Sequence, residues 1–214
     1  MSVITASPRN SINLLIAVCI VLVLWIAYTA LQTLTVMGRV NEATAVILGF
    51  APGILGVVAL LLAGMKSEEC YLRIGRLSWA GLIVLAAVFV FALAAILPVG
   101  EWQGWSWRAA LIFAPASGIS QELFFRSALL PALQVMMSRR AGLSLLLHSL
   151  LFGLWHIGPL FIGAPIWVVI AVMAVPFLSG IGWGWQVQRD RTVFWAMIQH
   201  SLIWVFGLQL AMPG

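Results

Sequence analysis

The chain has 214 residues, 63% of them hydrophobic and 8% charged, with a mean hydropathy of +1.10 and a formal net charge of +5. That apolar excess exceeds what a water-soluble core requires, and its long continuous runs differ from the short alternating segments of a membrane barrel. An all-α fold, a polytopic transmembrane helical bundle, is therefore expected, with every backbone amide satisfied inside its own helix. The positive charge lies between apolar runs, which points to membrane orientation and away from nucleic acid.

Seven spans are predicted, at 11–37, 43–65, 78–98, 109–137, 142–158, 164–187 and 192–212. The first is too long for a cleaved signal peptide and lacks a small-x-small cleavage site, so it reads as a retained span. Val18 stands before Cys19 where a lipoprotein signal would carry a small residue. In the second span Gly49-Phe-Ala-Pro-Gly53 has the small-xxx-small spacing that lets helices approach closely, and Pro52 predicts a kink. Cys70 falls in the following loop, remote from Cys19, so no disulfide is expected. No internal repeat or soluble extension interrupts the sequence, and 1–214 reads as one membrane domain.

With the N-terminus inside, the inner segments carry Arg9, Lys66, Arg73, Arg76, Arg139, Arg140, Arg189 and Arg191, against Arg39 and Arg108 outside. This bias predicts an N-in, C-out topology. Trp102, Trp105 and Trp107 are then expected in an outer aromatic belt, and Trp183, Trp185 and Trp195 in an inner one.

The fourth span changes character at Ser117-Gly-Ile-Ser120-Gln121-Glu122, where small and polar residues replace lipid-facing bulk. Glu122 and Arg126, at i,i+4, share a helical face and are expected to pair. An ionisable group at mid-membrane costs roughly 2.5–3.5 kcal/mol on insertion scales, so such residues mark functional sites by default. The fifth span contributes His148, Phe152 and His156 on one stripe, the sixth Pro176 with Gly180, Gly182 and Gly184, and the seventh His200. Counted from the inner span ends at 1.5 Å per residue, Glu122 lies about 22 Å deep, His156 about 21 Å and His200 about 13 Å. On that count His156 is the nearer match to the carboxylate.

A glutamate with two histidines is one donor set for zinc, but the His-Glu-x-x-His helix is absent. The other reading is acid–base chemistry: the carboxylate takes a proton from water while imidazoles orient that water or stabilise an oxyanion. A proton relay in a carrier would use the same buried groups.

Over roughly 109–212 the chain resembles the CAAX-protease and bacteriocin-processing family of glutamic intramembrane endopeptidases, also called the Abi family. Its members carry Glu-Glu-x-x-x-Arg, Phe-x-x-x-His and His-x-x-x-Asn on successive helices. Here the stretches read Gln121-Glu122-Leu-Phe-Phe-Arg126, Phe152-Gly-Leu-Trp-His156 and His200-Ser-Leu-Ile-Trp204. The resemblance implies hydrolysis of a peptide bond in a membrane-embedded or lipidated protein or peptide, with no cofactor and no metal. It implies a protease-like core at 109–212 and accessory helices at 1–108, in a prokaryotic inner membrane. It carries catalytic roles onto His156 and His200; Glu122, which matches the second glutamate of the family pair, is taken as the candidate base beside them, with Gln121, Arg126, Phe152 and Trp204 in support. Two positions depart from the pattern: Gln121 stands where the first glutamate would be, and Trp204 where the asparagine would be. An amide is no general base, so the alternative expectation is a non-catalytic descendant that binds membrane peptides or proteins in an immunity or escort role.

Overall fold

The computed structural model describes residues 8–97 and 101–211. The expected span ends at 98 and 212 lie outside these residues, as does the Arg9 side chain. Among the described residues the fold is helical apart from one pair of two-residue strands. The α-helices are α1 (Pro8–Val36), α2 (Glu42–Leu62), α3 (Trp79–Ile96), α4 (Ala114–Phe124), α5 (Leu130–Met136), α6 (Ala141–Leu154), α7 (Ile166–Asp190) and α8 (Phe194–Gly207). Helices at 11–36, 42–62, 79–96, 141–162 and 166–190 are long and apolar enough to cross a membrane. Their outward faces carry large exposed apolar side chains such as Ile12, Leu15, Ile47, Ile83 and Ile170, as lipid contact requires.

Local chemistry sets the helix starts. Asn41 accepts the Thr44 amide at 2.9 Å to cap α2, and Ser78 accepts the Gly81 amide at 3.0 Å to cap α3. The expected straight span at 109–137 is instead a rod of four consecutive pieces, in which π turns at Ala109–Phe113 and Phe125–Leu129 precede α4 and α5. Each π turn ends two residues before a proline, Pro115 or Pro131. A proline has no N–H for the carbonyl four residues back and its ring crowds that carbonyl, so the turn opens by one residue. This rod runs through the middle of the bundle: from Ser120 to Leu133 every residue except Leu123 is buried.

The expected span 142–158 also stops early. Helix α6 ends at Leu154 and a 3-10 turn follows at Gly158–Ile162. Pro159 accounts for this, because it has no N–H to give the Trp155 carbonyl and so cannot continue the α ladder. Helix α8 is likewise shorter than the expected 192–212.

Glycines bring these helices together. A Cβ on Gly118 of α4 would lie 2.6 Å from the Ser201 backbone nitrogen of α8, and one on Gly53 of α2 would lie 3.1 Å from the Phe124 amide. The Gly49/Gly53 pattern is thus a packing face, as its spacing suggested. In α7, Gly180 faces Ser149 and Phe152 of α6 while Gly182 faces Val88 of α3, so the glycine series serves two neighbours. Two indole bonds, Trp25 Nε1 to the Leu151 carbonyl and Trp155 Nε1 to the Tyr28 carbonyl, each 3.1 Å, fasten α1 to the end of α6.

The connections gather at two opposite ends. The 63–78 segment meets 137–140 and 189–195, through Glu69–Arg139 at 3.0 Å, Val193 N to Tyr71 O at 3.0 Å and Trp195 Nε1 to Gly75 O at 3.0 Å. Elsewhere, Glu101–Trp102 pairs antiparallel with Leu210–Ala211, and Gln209 accepts the Ser106 amide at 2.7 Å.

Candidate functional site

Glu122 is fully buried on α4, and two groups converge on its Oε1: Arg126 Nη1 at 3.0 Å and His200 Nδ1 at 2.7 Å. The other oxygen, Oε2, has no hydrogen-bond partner among the described residues. The carboxylate therefore has one oxygen committed and one buried without a hydrogen-bond partner among the described residues.

Arg126 sits inside the second π turn and is wholly enclosed. Its approach to Glu122 satisfies the distance of an ion pair, yet none of its guanidinium nitrogens makes an aligned hydrogen bond. Its flat face is occupied instead: the guanidinium carbon lies 4.3 Å from the Phe152 ring centre and 5.1 Å from that of Trp183. Stacking on aromatic faces is a use of arginine that lysine does not reproduce.

His200 has both ring nitrogens engaged. Trp204 Nε1 approaches His200 Nε2 at 3.1 Å, and an indole N–H only donates, so Nε2 holds the lone pair. Nδ1 consequently carries the proton that Glu122 accepts. Trp183 stacks on the imidazole at 4.5 Å between ring centres and 25° between planes, and its own Nε1 donates to Gln199 Oε1 at 2.5 Å. Gln199 in turn donates to the Leu85 carbonyl.

His156 is half-buried just beyond the end of α6. Its amide bonds the Gly153 carbonyl, and its imidazole Nδ1 lies 3.0 Å from the Phe152 carbonyl. A carbonyl only accepts, so Nδ1 carries the proton and Nε2 presents a lone pair. The early helix end forced by Pro159 thus fixes the tautomer of this histidine.

Phe152 joins the parts. Its ring packs against His156 at 5.3 Å, His200 at 6.2 Å and Trp183 at 6.2 Å, besides carrying Arg126. Gln121 is buried beside Glu122 in sequence with its Oε1 unpartnered. His148, one turn before Phe152, is fully buried with neither ring nitrogen hydrogen-bonded, its edge toward Phe125 at 6.4 Å. Among the described residues, no group of three or more His, Cys, Asp and Glu side chains is placed to hold a metal ion.

The structure thus gathers Glu122, Arg126, Phe152, His156, His200 and Trp204 in one place, and corrects two expectations. The direct partner of Glu122 is His200, whereas depth counting favoured His156. The Gly118–Ser201 contact, one turn from Glu122, sets the register between α4 and α8, and the span ends do not. Trp183 is buried against His200 rather than standing in an interfacial belt, while Trp102, Trp105 and Trp107 are exposed and packed on one another. Sequence reading missed Trp183 and Gln199. The available signal was Gln199 directly preceding His200 in an otherwise apolar helix.

Residues 102–206 match the family described as type II CAAX prenyl endopeptidase Rce1-like. No curated protein and no solved structure matches the chain.

Proposed function

Through residues 102–206 the chain belongs to the type II CAAX prenyl endopeptidase Rce1-like family of membrane proteases, and on that premise we propose that it is a glutamic intramembrane endopeptidase. Its substrate is a membrane-embedded or lipidated protein or peptide. The observation that carries this reading is the divided carboxylate of Glu122, with Oε1 held by Arg126 and His200 and Oε2 buried with its lone pairs unpartnered among the described residues.

In this reading Glu122 Oε2 accepts a proton from water, and the His156 Nε2 lone pair accepts the second O–H and aims the oxygen. The hydroxide attacks the scissile carbonyl carbon, and the protonated Glu122 returns its proton to the leaving amine. The oxyanion needs a donor already in position. His200 was the expected donor, but its one N–H is committed to Glu122, so its role here is to orient the carboxylate. The Trp204 indole N–H, at the position of the family's asparagine, is donated to His200 Nε2 and keeps the imidazole proton on Nδ1, so it would serve the oxyanion only by turning away from that nitrogen as substrate enters. Gln121 and Arg126 support the carboxylate, and Phe152 holds the two imidazoles and the guanidinium in register.

We assign residues 109–212 as the catalytic core and 1–108 as accessory helices, in seven crossings with the N-terminus inside. The gathering of 63–78, 137–140 and 189–195 at one end and of 101–106 with 209–211 at the other supports this alternation. We further assign the chain to a prokaryotic inner membrane, with the arginine-rich end of the bundle facing the cytoplasm.

The test compares protein termini by mass spectrometry between host cells carrying the wild type, Glu122→Gln and His156→Ala at equal expression. New termini present only with the wild type are expected. A Glu122→Gln variant that still generates them would overturn the assignment.

A second reading, a non-catalytic protein that binds membrane peptides or proteins, is favoured by one observation: Gln121 stands at the first glutamate position. It predicts identical termini in all three strains and a phenotype that His156→Ala still complements.

A further inference from the structure

At the end of the bundle where 63–78 meets α5 and α7 lies a cavity of about 360 Å³, lined among others by Tyr71, Gln134, Arg139, Trp185, Arg189 and Arg191. It lies apart from the Glu122 site and shares no residue with it. We infer that this cavity is a binding site for the phosphate of an anionic phospholipid headgroup, gripped by Arg189 and Arg191.

The charge balance is the first argument. Arg139 is matched by Glu69 at 3.0 Å, and the nearby Glu68 approaches Arg73 at 3.8 Å. Asp190 accepts from Gln186. Arg189 donates to the Ser78 hydroxyl at 3.2 Å and Arg191 to the Glu68 backbone carbonyl at 3.4 Å, and neither has a carboxylate partner among the described residues. The cavity thus holds two arginines that no carboxylate pairs with among the described residues.

Geometry is the second. Arg191 lies over the Tyr71 ring at 5.0 Å and Arg189 over the Trp185 ring at 5.2 Å. With their flat faces against aromatic rings, the guanidinium groups offer their N–H edges, the presentation that suits forked bonding to phosphate oxygens.

Backbone strain is the third. The described residues other than glycine with positive φ are Tyr71 at 58°, Ser138 at 50°, Arg139 at 61° and Arg191 at 57°. Tyr71, Arg139 and Arg191 line this cavity, and Ser138 directly precedes Arg139 in the chain. A left-handed backbone is unfavourable for these side chains, tyrosine above all, and strain of this kind collects at binding and catalytic sites. The buried Tyr71 is held there by its hydroxyl on Gln134 at 2.9 Å and its carbonyl on the Val193 amide at 3.0 Å. The source of the phosphate follows from position. The cavity caps the ends of membrane-spanning helices, beside exposed Met136 and Leu143, where a headgroup lies with its chains alongside apolar side chains.

The experiment uses the full chain purified in a neutral detergent, with bound lipid counted by native mass spectrometry. Phosphatidylglycerol, phosphatidylcholine and inorganic phosphate are titrated separately into the wild type, Arg189→Gln/Arg191→Gln, Arg189→Lys/Arg191→Lys and Arg108→Gln. Phosphatidylglycerol is expected to bind the wild type about tenfold or more tightly than the glutamine double variant, since each charged hydrogen bond is worth a factor of that order. The lysine variant should fall between them, and Arg108→Gln should match the wild type. Equal binding of phosphatidylglycerol to wild type and glutamine variant, with unchanged thermal unfolding, overturns the inference. So does equal retention of phosphatidylcholine, or displacement of the lipid by inorganic phosphate at equal concentration, which would make this a site for soluble phosphate.

Discussion

Gly118→Ala tests whether the α4–α8 contact sets the site. The added Cβ would stand 2.5 Å from Ser201 Oγ, 2.6 Å from its backbone nitrogen and 2.8 Å from its Cα, where ordinary contact begins at 3.4 Å. The hydroxyl can rotate away but the backbone cannot, so the helices must part by roughly 0.8 Å at this point, enough to forfeit much of the local dispersion contact. One turn along α4, the 2.7 Å bond between Glu122 and His200 would open beyond hydrogen-bonding range. Overpacking costs about 1–3 kcal/mol and a hydrogen bond to a charged group about 1.5–3 kcal/mol; the two overlap, and a loss of about 2–4 kcal/mol is expected. Displacement near 1 Å in the catalytic groups should lower cleavage on the order of 10²-fold. Reversible unfolding in mixed micelles reads the first quantity, and cleavage of a substrate found by the termini comparison reads the second. Adding Ser201→Gly should rescue only part of the loss, because the backbone nitrogen and Cα remain in the way. Gly142→Ala, with nothing within 4 Å of its Cβ, is the control and should leave both readouts near the wild type. A Gly118→Ala protein with unchanged stability and full cleavage would refute the claim that this contact positions Glu122.

Glu122→Leu alone should destabilise the protein by about 3–5 kcal/mol, because it leaves the enclosed Arg126 charge without its partner. Glu122→Leu with Arg126→Met should recover most of that stability in the same unfolding assay while remaining inactive, which separates the pinning of the helix from the chemistry. Trp204→Phe keeps the ring but removes the N–H on His200 Nε2, so cleavage should fall by about tenfold while folding changes by about 1 kcal/mol or less, measured by the same two assays. At the opposite concern, the loop end, burial pushes the Glu69 carboxyl up, but the Lys66 amide and the Arg139 guanidinium outweigh it and hold the carboxyl below its ordinary 4.5. A depressed folded-state value contributes stability that is present above pH 4.5 and fades as pH falls through the lower value. Limited proteolysis of the 63–78 segment should therefore stay slow down to about pH 4.5 and accelerate below it, whereas Arg139→Gln, which lets the folded value return toward 4.5, should speed proteolysis above pH 4.5 and flatten the acceleration below it.

The sequence by itself determined the helical membrane class, the Gly49/Gly53 packing face and the identity of the buried groups. Each rests on composition or on residues close along the chain. The cost of burying Glu122, Arg126 and the histidines in so apolar a chain is visible without coordinates, because it depends on residue type. The same holds for the segment matched at 102–206, since its motifs are local strings. Pairing across helices was not legible. His200 rather than His156 meets Glu122 because a glycine contact at Gly118 fixes how α4 and α8 slide past each other, and span ends carry no such information. Both π turns and the early end of α6 follow from Pro115, Pro131 and Pro159, which were in view, but whether a proline kinks, widens or stops a helix depends on what packs against it. Trp183 illustrates the remaining gap: near the end of an apolar run it reads as an interfacial anchor, and only tertiary packing turns it inward onto His200 and Arg126. Short-range chemistry fixes which groups must be satisfied, and the three-dimensional packing of glycine-faced helices decides which of them satisfy one another.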